Sequence, residues 1–184
     1  KANQDKMQYG SAGVGSGTHL PCARMNTALG LKIAHVPYRG AGPAMQDLVG
    51  GRIDYMCDTI QTGAEQAKSG TVKGIAVMAP KRVSIIPDLP TTGEQGVPDI
   101  DATVWNAFFF PKGTPKEIVL KMNQALGKVV ERPDVQKRME VLGLDILPPA
   151  QRTPDYLVQY LPKEIERWGK VIQDAGLAGI AGGP

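Results

Sequence analysis

Met7-Gln8-Tyr9-Gly10-Ser11-Ala12-Gly13-Val14-Gly15-Ser16-Gly17-Thr18-His19-Leu20 is the stretch on which the fold of this chain turns. Residues 7–9 read as a short strand, residues 10–17 as a Gly/Ser-rich loop, and residues 18–29 as a helix that Gly30 closes at the C′ position. Glycines let a backbone approach a ligand closely. The first amides of a helix lack intrahelical acceptors, and the helix dipole puts partial positive charge behind them. A loop that feeds a helix in this way is a ready anion site. Ser11, Ser16 and Thr18 add hydroxyls to it. The expected ligand-binding set in this loop is Ser11, Ala12, Gly13, Gly15, Ser16, Thr18 and His19.

Three sharper loop motifs do not fit. The dinucleotide fingerprint requires G-x-G-x-x-G, but after Gly13 and Gly15 the third glycine, Gly17, comes one residue early and Thr18 stands in its place. The phosphate loop requires a lysine that is absent here. A nucleophile elbow requires glycine two residues before the serine, and Val14 precedes Ser16. His19 is expected to hydrogen-bond a neighbouring loop rather than act as a base.

Outward from this loop the pattern repeats. Residues 32–36 read as a strand ended by Pro37, and Pro43 opens a helix that Gly50-Gly51 stops. Residues 52–57 read as a third strand, and residues 58–68 as a helix or irregular turn. Residues 72–79 form a near-continuous apolar run, as in a strand buried on both faces. Short strands alternating with short helices predict an α/β layer with a largely parallel sheet. Tyr38, with Arg39 beside it, and Asp58 then fall at strand C-terminal ends, where open α/β sheets bind ligands. Asp58 serves either a ligand hydroxyl or amine, or the cap of the next turn, with the cap favoured.

Residues 80–98 are loop-rich, with prolines at 80, 87, 90 and 98. An extended segment follows over residues 100–110, where Phe108-Phe109-Phe110 reads as a buried hinge or core strand. Thr114, Pro115 and Glu117 read as a capping box that opens a helix to about residue 131. A second helix runs over residues 133–142, a short strand over 144–147, and a last helix over 153–175, kinked at Pro162. The character changes near residue 107: helices dominate beyond it, with too little strand to cover their apolar faces. The domain reading is therefore an α/β lobe over 1–107 and a helical part over 108–184 that wants a sheet from elsewhere.

Composition sets the outer bounds. The chain has 184 residues, 42% hydrophobic and 21% charged, with 21 basic and 18 acidic side chains for a net charge of +3. This is globular composition. The basic residues are scattered rather than striped, so nucleic acid is not an expected partner. No apolar run approaches the roughly 20 residues of a membrane span. Two histidines and two cysteines give no metal-ligand spacing, and no cofactor is expected. Cys22 and Cys57 are expected as two buried thiols, with a bridge as the alternative in an oxidising compartment. There are no paired carboxylates and no Ser-His-Asp set, so the pattern is recognition without catalysis. The competing class is an α/β enzyme acting on a carboxylated or phosphorylated metabolite.

Residues 9–20, with His35-Val-Pro-Tyr-Arg-Gly-Ala-Gly-Pro-Ala-Met-Gln-Asp-Leu-Val-Gly-Gly-Arg-Ile-Asp54, strongly resemble the substrate-binding receptors of the tripartite tricarboxylate transporters, the Bug or TctC-like family. Pro87-Asp-Leu-Pro-Thr91, Pro111-x-Gly-Thr-Pro115 and Glu164-Ile-x-x-Trp168 agree as later landmarks. The resemblance implies a two-lobed type II periplasmic-binding-protein fold. It also implies a periplasmic location, a di- or tricarboxylate or acidic amino acid as ligand, and a membrane permease as partner. By resemblance the loop from Ser11 to His19 faces the ligand, with Tyr38 and Asp58 near it. The polar opening without an initiator Met reads as a cut across a longer receptor, so 108–184 would be the returning part of a lobe whose N-terminal sheet is missing. Self-association by segment exchange is expected if a second copy covers those helices. Pro21 and Pro162 depart from the pattern of uninterrupted helices.

Overall fold

The structure, a computed structural model, describes residues 2–97 and 100–179. Pro98, the last proline of the loop-rich stretch, lies outside them. The described chain falls into two compact units. One comprises the chain up to Val104 together with the chain from Trp168 onward, and the other is Trp105–Arg167.

The first unit holds a three-stranded parallel sheet with order β2-β1-β3. The strands are β1 (Gln8–Ser11), β2 (Ala34–Pro37) and β3 (Tyr55–Met56). Tyr9 pairs with His35 on one side and Tyr55 on the other. Helices α1 (His19–Leu29) and α2 (Ala41–Val49) connect the strands, and α3 (Ile60–Lys68) follows the third. Gly30 ends α1 at φ 61°, the left-handed conformation that favours glycine at a helix end. Pro21 is the third residue of α1, where its missing N–H would have had no intrahelical acceptor. Pro43 sits two residues inside α2, which starts at Ala41.

Alternation along β1 sorts the two sheet faces. Tyr9 and Ser11 face one way, with the rings of His35 and Tyr55 stacked on Tyr9 at 4.9 and 5.6 Å. Gly10 is packed on the other face. A Cβ there would collide with Ile53, and it would lie 3.3 Å from the Tyr38 ring and 3.6 Å from Ala44. The ladder is short, so the core is small: Tyr9, Cys22, Ala23, Ala44, Ile53, Ala64, Val77 and Ile100 are its buried apolar residues.

Several sequence expectations change here. Residues 72–79 do not form a strand; among the described residues the stretch makes one parallel bridge, Val77 to Thr91, and the Met78 carbonyl accepts from the Ala102 amide. The run is apolar enough for a buried strand, but the turns on either side leave it no continuous neighbour to pair with. Cys22 and Cys57 are bonded to each other, with Cα atoms 5.5 Å apart, so the two-thiol expectation is overturned. The two residues lie 35 apart in sequence, and they come into bonding range because α1 and β3 both pack against β1.

The second unit contains α4 (Lys116–Val130), α5 (Pro133–Val141) and most of α6 (Pro154–Asp174). The capping box does not form. α4 starts one residue later than expected, with Pro115 as its N-cap, and the Thr114 hydroxyl donates to the Pro111 carbonyl instead. Residues 144–147 form no strand. α6 runs unbroken through Pro162. Phe108 and Phe109 are 74% and 63% exposed, so the expected burial of the triple Phe is not seen. Among the described residues of this unit no apolar side chain is buried; its one buried residue is Glu164, which accepts a 2.9 Å hydrogen bond from the Trp105 indole N–H and pairs with Arg167.

Candidate functional site

The C-terminal ends of three parallel strands lie side by side, and the expected site residues are all there. β1 leads into the Gly loop, β2 into Tyr38, and β3 into Cys57 and Asp58. Tyr38 is joined to the loop directly: its amide donates to the Ser11 carbonyl at 2.9 Å, and the Gly40 amide to the Ala12 carbonyl at 3.2 Å.

The loop is braced from within by its own polar side chains. Ser11 is fully buried. Its hydroxyl accepts from the Gly13 amide at 3.1 Å, contacts the Gly13 carbonyl at 3.0 Å and lies 2.7 Å from His35 Nε2. All three bonds are satisfied together when Ser11 donates to Gly13 and His35 Nε2–H donates to Ser11. The Thr18 hydroxyl accepts from the Ala12 amide at 2.8 Å and lies 3.1 Å from Ser16 Oγ. His19 Nδ1 accepts from the Gly15 amide at 3.0 Å, which bears out the expected role of this histidine as a partner for a loop. Gly13 and Gly15 sit at φ 134° and 74°, where a side chain would strain the turn.

Beneath the loop the rings form a stack. His19 lies on His35 with centroids 3.9 Å apart, and Tyr9 lies on His35 in turn. Burial holds both histidines below their usual pKa. For His35, burial and then the neighbouring His19 push it down to about 4. Both rings are therefore neutral at pH 7 and committed to bracing. His19 Nε2 is buried with no hydrogen-bond partner among the described residues. Burial also raises Tyr9, and Tyr55 to about 12.

Above the stack, the backbone amides of Val14, Gly17 and Thr18 have no acceptor among the described residues. Val14, Gly15 and Gly17 are exposed and Ser16 is half-buried. The arrangement offers N–H groups at the positive end of α1 and no lysine or arginine in the loop. Arg39 is exposed on the neighbouring turn. The Tyr38 hydroxyl donates to Asp47 at 2.8 Å, and Asp47 in turn pairs with Arg52 at 2.7 Å. That pairing holds the Asp47 carboxyl below its usual range, and burial and the Asp47 bond raise the Tyr38 phenol. Asp58 caps the next turn, accepting from the Thr59 amide at 2.8 Å and the Thr62 hydroxyl at 2.6 Å. No group of three or more His, Cys, Asp or Glu that could hold a metal occurs among the described residues. The sequence reading missed the His19–His35 stack and the disulfide. Each joins residues distant in sequence, and no local pattern announces either.

The first unit is thus an open parallel α/β sheet with an amide-lined loop at the C-terminal edge of its strands, the edge where such folds take ligands. The tripartite tricarboxylate transporter family receptor profile matches residues 1–177, and the chain belongs to that family. It is 39% identical over 176 residues to the UPF0065 protein in the TAR-I ttuE-ttuC' intergenic region of Agrobacterium vitis, covering 96% of this chain and 51% of the relative. Among solved structures, it is 37% identical to MatC (Rpa3494) from Rhodopseudomonas palustris with bound malate, at TM-score 0.86 over 93% of this chain and 58% of that one. It is 36% identical to the periplasmic binding protein BugD, at TM-score 0.87 over 96% of this chain and 58% of that one. The fold is thus that of a periplasmic binding protein, in part: the chain spans about half the length of curated relatives such as the first.

Proposed function

We propose that this chain is the ligand-binding part of an extracytoplasmic receptor. It captures a small organic carboxylate (a di- or tricarboxylate or an acidic amino acid) and delivers it to a membrane permease, with no catalysis. The observation that carries this reading is the set of amides of Val14, Gly17 and Thr18, without acceptors among the described residues, in the loop that leads into α1 and is braced by Ser11, Thr18 and His19. A carboxylate accepts such amides in the manner of any anion at a helix N-terminus. In this reading Ser11, Thr18 and His19 shape the loop, while Ala12, Gly13, Gly15 and Ser16 present it. Asp58 repels a carboxylate, so it faces a ligand's hydroxyl or ammonium group, and Tyr38 walls the same edge. MatC's bound malate is a hydroxy-dicarboxylate of this kind.

The enzyme reading is weaker because both histidines are neutral, stacked and engaged in the loop. The periplasmic location draws support from the Cys22–Cys57 bond, since disulfides persist in oxidising compartments; no described helix is long and apolar enough to cross a membrane. We assign 1–107 as the substrate-binding lobe and 108–184 as the C-terminal portion of the other lobe; the compact units differ from this in that the chain from Trp168 onward groups with the first. The exposed apolar side chains of residues 105–167 support that assignment, because a helical layer without a core needs a sheet to lie on.

The test is a calorimetric and thermal-shift panel of malate, succinate, citrate, aspartate, glutamate and inorganic phosphate. A ligand at a hundredfold excess over its Kd stabilises by about 2.7 kcal/mol. A carboxylate that shifts the transition, with no turnover product by mass spectrometry, is the expected result. A shift with phosphate alone, or with none of the panel, refutes the carboxylate reading.

A further inference from the structure

The Cys22–Cys57 disulfide occupies a particular place. Cys22 lies in the first turns of α1, directly beyond the anion loop, and it is fully buried. Cys57 follows β3 and immediately precedes Asp58. The β1–β3 ladder stops at Gly10 and Met56, so the strand pairing ends before Cys57. The hydrogen bonds of the Asp58 carboxylate are local, to Thr59 and Thr62. Two residues before Cys57, the Tyr55 hydroxyl also donates to the buried Asn26 of α1 at 2.8 Å. Past the end of the ladder, the covalent bond joins the Asp58 turn to the helix that carries the loop.

We propose that this disulfide is a positioning element of the ligand site: it fixes the Asp58 turn against the start of α1, and a dithiol that opens it uncouples the two walls. The proposal rests on the site reading given above. Opening is ordinary exchange. A thiolate of the dithiol attacks one sulfur, the Cys22–Cys57 bond breaks, the dithiol leaves as its own cyclic disulfide, and the two protein sulfurs end as thiols. The physical gain from the bond is preorganisation: a loop and a turn held in register lose less freedom when a ligand joins them.

Two measurements on the whole chain test this, comparing oxidised protein, protein reduced with dithiothreitol, and the Cys22→Ser/Cys57→Ser variant, at a temperature where all three remain folded by circular dichroism. The first is hydrogen exchange at single amides, which needs no ligand. Ala12, Gly15, Thr59 and Gly63 donate hydrogen bonds within the loop and the Asp58 turn. They are expected to lose more protection on reduction than the amides of the β1–β2 ladder, which follow only the global loss of stability, and reoxidation should restore them. The second is malate affinity, expected to fall about tenfold or more on reduction, as preorganisation is lost.

Unchanged protection at those four amides overturns the proposal, whatever malate does. So does a loss spread evenly over the ladder as well, which marks a purely global stabiliser. Local loss of protection with malate held equally well by both forms also overturns it as a statement about the site. Local loss with no binding of malate by the oxidised chain leaves the coupling of the two segments standing and counts against the carboxylate reading instead.

Discussion

Acid should weaken this protein earlier than carboxylate titration alone would, and the reason is the stacked pair His19 and His35. His35 is held down to about 4 by burial first and by its neighbour second, against an ordinary value of 6.5. The folded state therefore binds fewer protons than the unfolded chain between those two values, so stability is fully present above about pH 7 and is lost as pH falls through 6.5 toward 4. For one such histidine the linkage relation gives a loss of about 1.8 kcal/mol between pH 7 and pH 5. His35 is half-buried, and solvent screening trims this to about 1–2 kcal/mol. His19, lowered in the same direction, adds to it. The assay is urea unfolding at fixed temperature across pH 7.5 to 5, above the range where ordinary carboxylates titrate. The expected fall corresponds to about 2–8 °C in Tm for a chain of this size. His35→Gln keeps an N–H near the position of Nε2 for Ser11 and removes its titration, so the profile should become shallower, with the His19 share left. A wild-type profile flat from pH 7 to 5 would refute the claim that these rings are buried neutral against one another.

Three further outcomes follow from packing and chain entropy. Gly10→Ala places a methyl against Ile53 and the Tyr38 ring and should cost about 1–3 kcal/mol by urea unfolding; a neutral result would mean the sheet does not pack there as described. Thr18→Val removes the acceptor of the Ala12 amide and should cost about 1–3 kcal/mol, whereas Thr18→Ser, which keeps the hydroxyl, should stay close to wild type. Cys22→Ser/Cys57→Ser releases a loop spanning a sequence separation of 35. The chain-entropy relation assigns such a loop about 4 kcal/mol, read as a lower urea midpoint for the variant that reduction of the wild type should reproduce.

The βα units were legible because each rests on local signals. Gly30 at φ 61° closes α1 where a C′ glycine was expected, and the Gly-rich run after Tyr9 became the loop at the strand end. Failures came where a segment's fate depended on its neighbours. Residues 72–79 are apolar enough for a buried strand but, among the described residues, form a β-bridge only at Val77. Phe108 and Phe109 look like core and stand exposed, because hydrophobicity expresses a demand for burial and cannot supply the surface that satisfies it.

The same division applies to the site. Residue types and spacing alone placed a Gly/Ser loop between a strand and a helix from Ser11 to His19, since glycine conformations and helix-start amides are properties of the local chain. Only the tertiary structure decided what the loop's side chains do. Parallel pairing set His35 and Tyr55 on either side of Tyr9, and α1 folded back to lay His19 on His35. That geometry turned Ser11, Thr18 and His19 inward as braces and brought Cys22 to Cys57. The His19–His35 and Cys22–Cys57 contacts join residues 16 and 35 apart in sequence, and they exist only once a sheet has fixed which strands are neighbours.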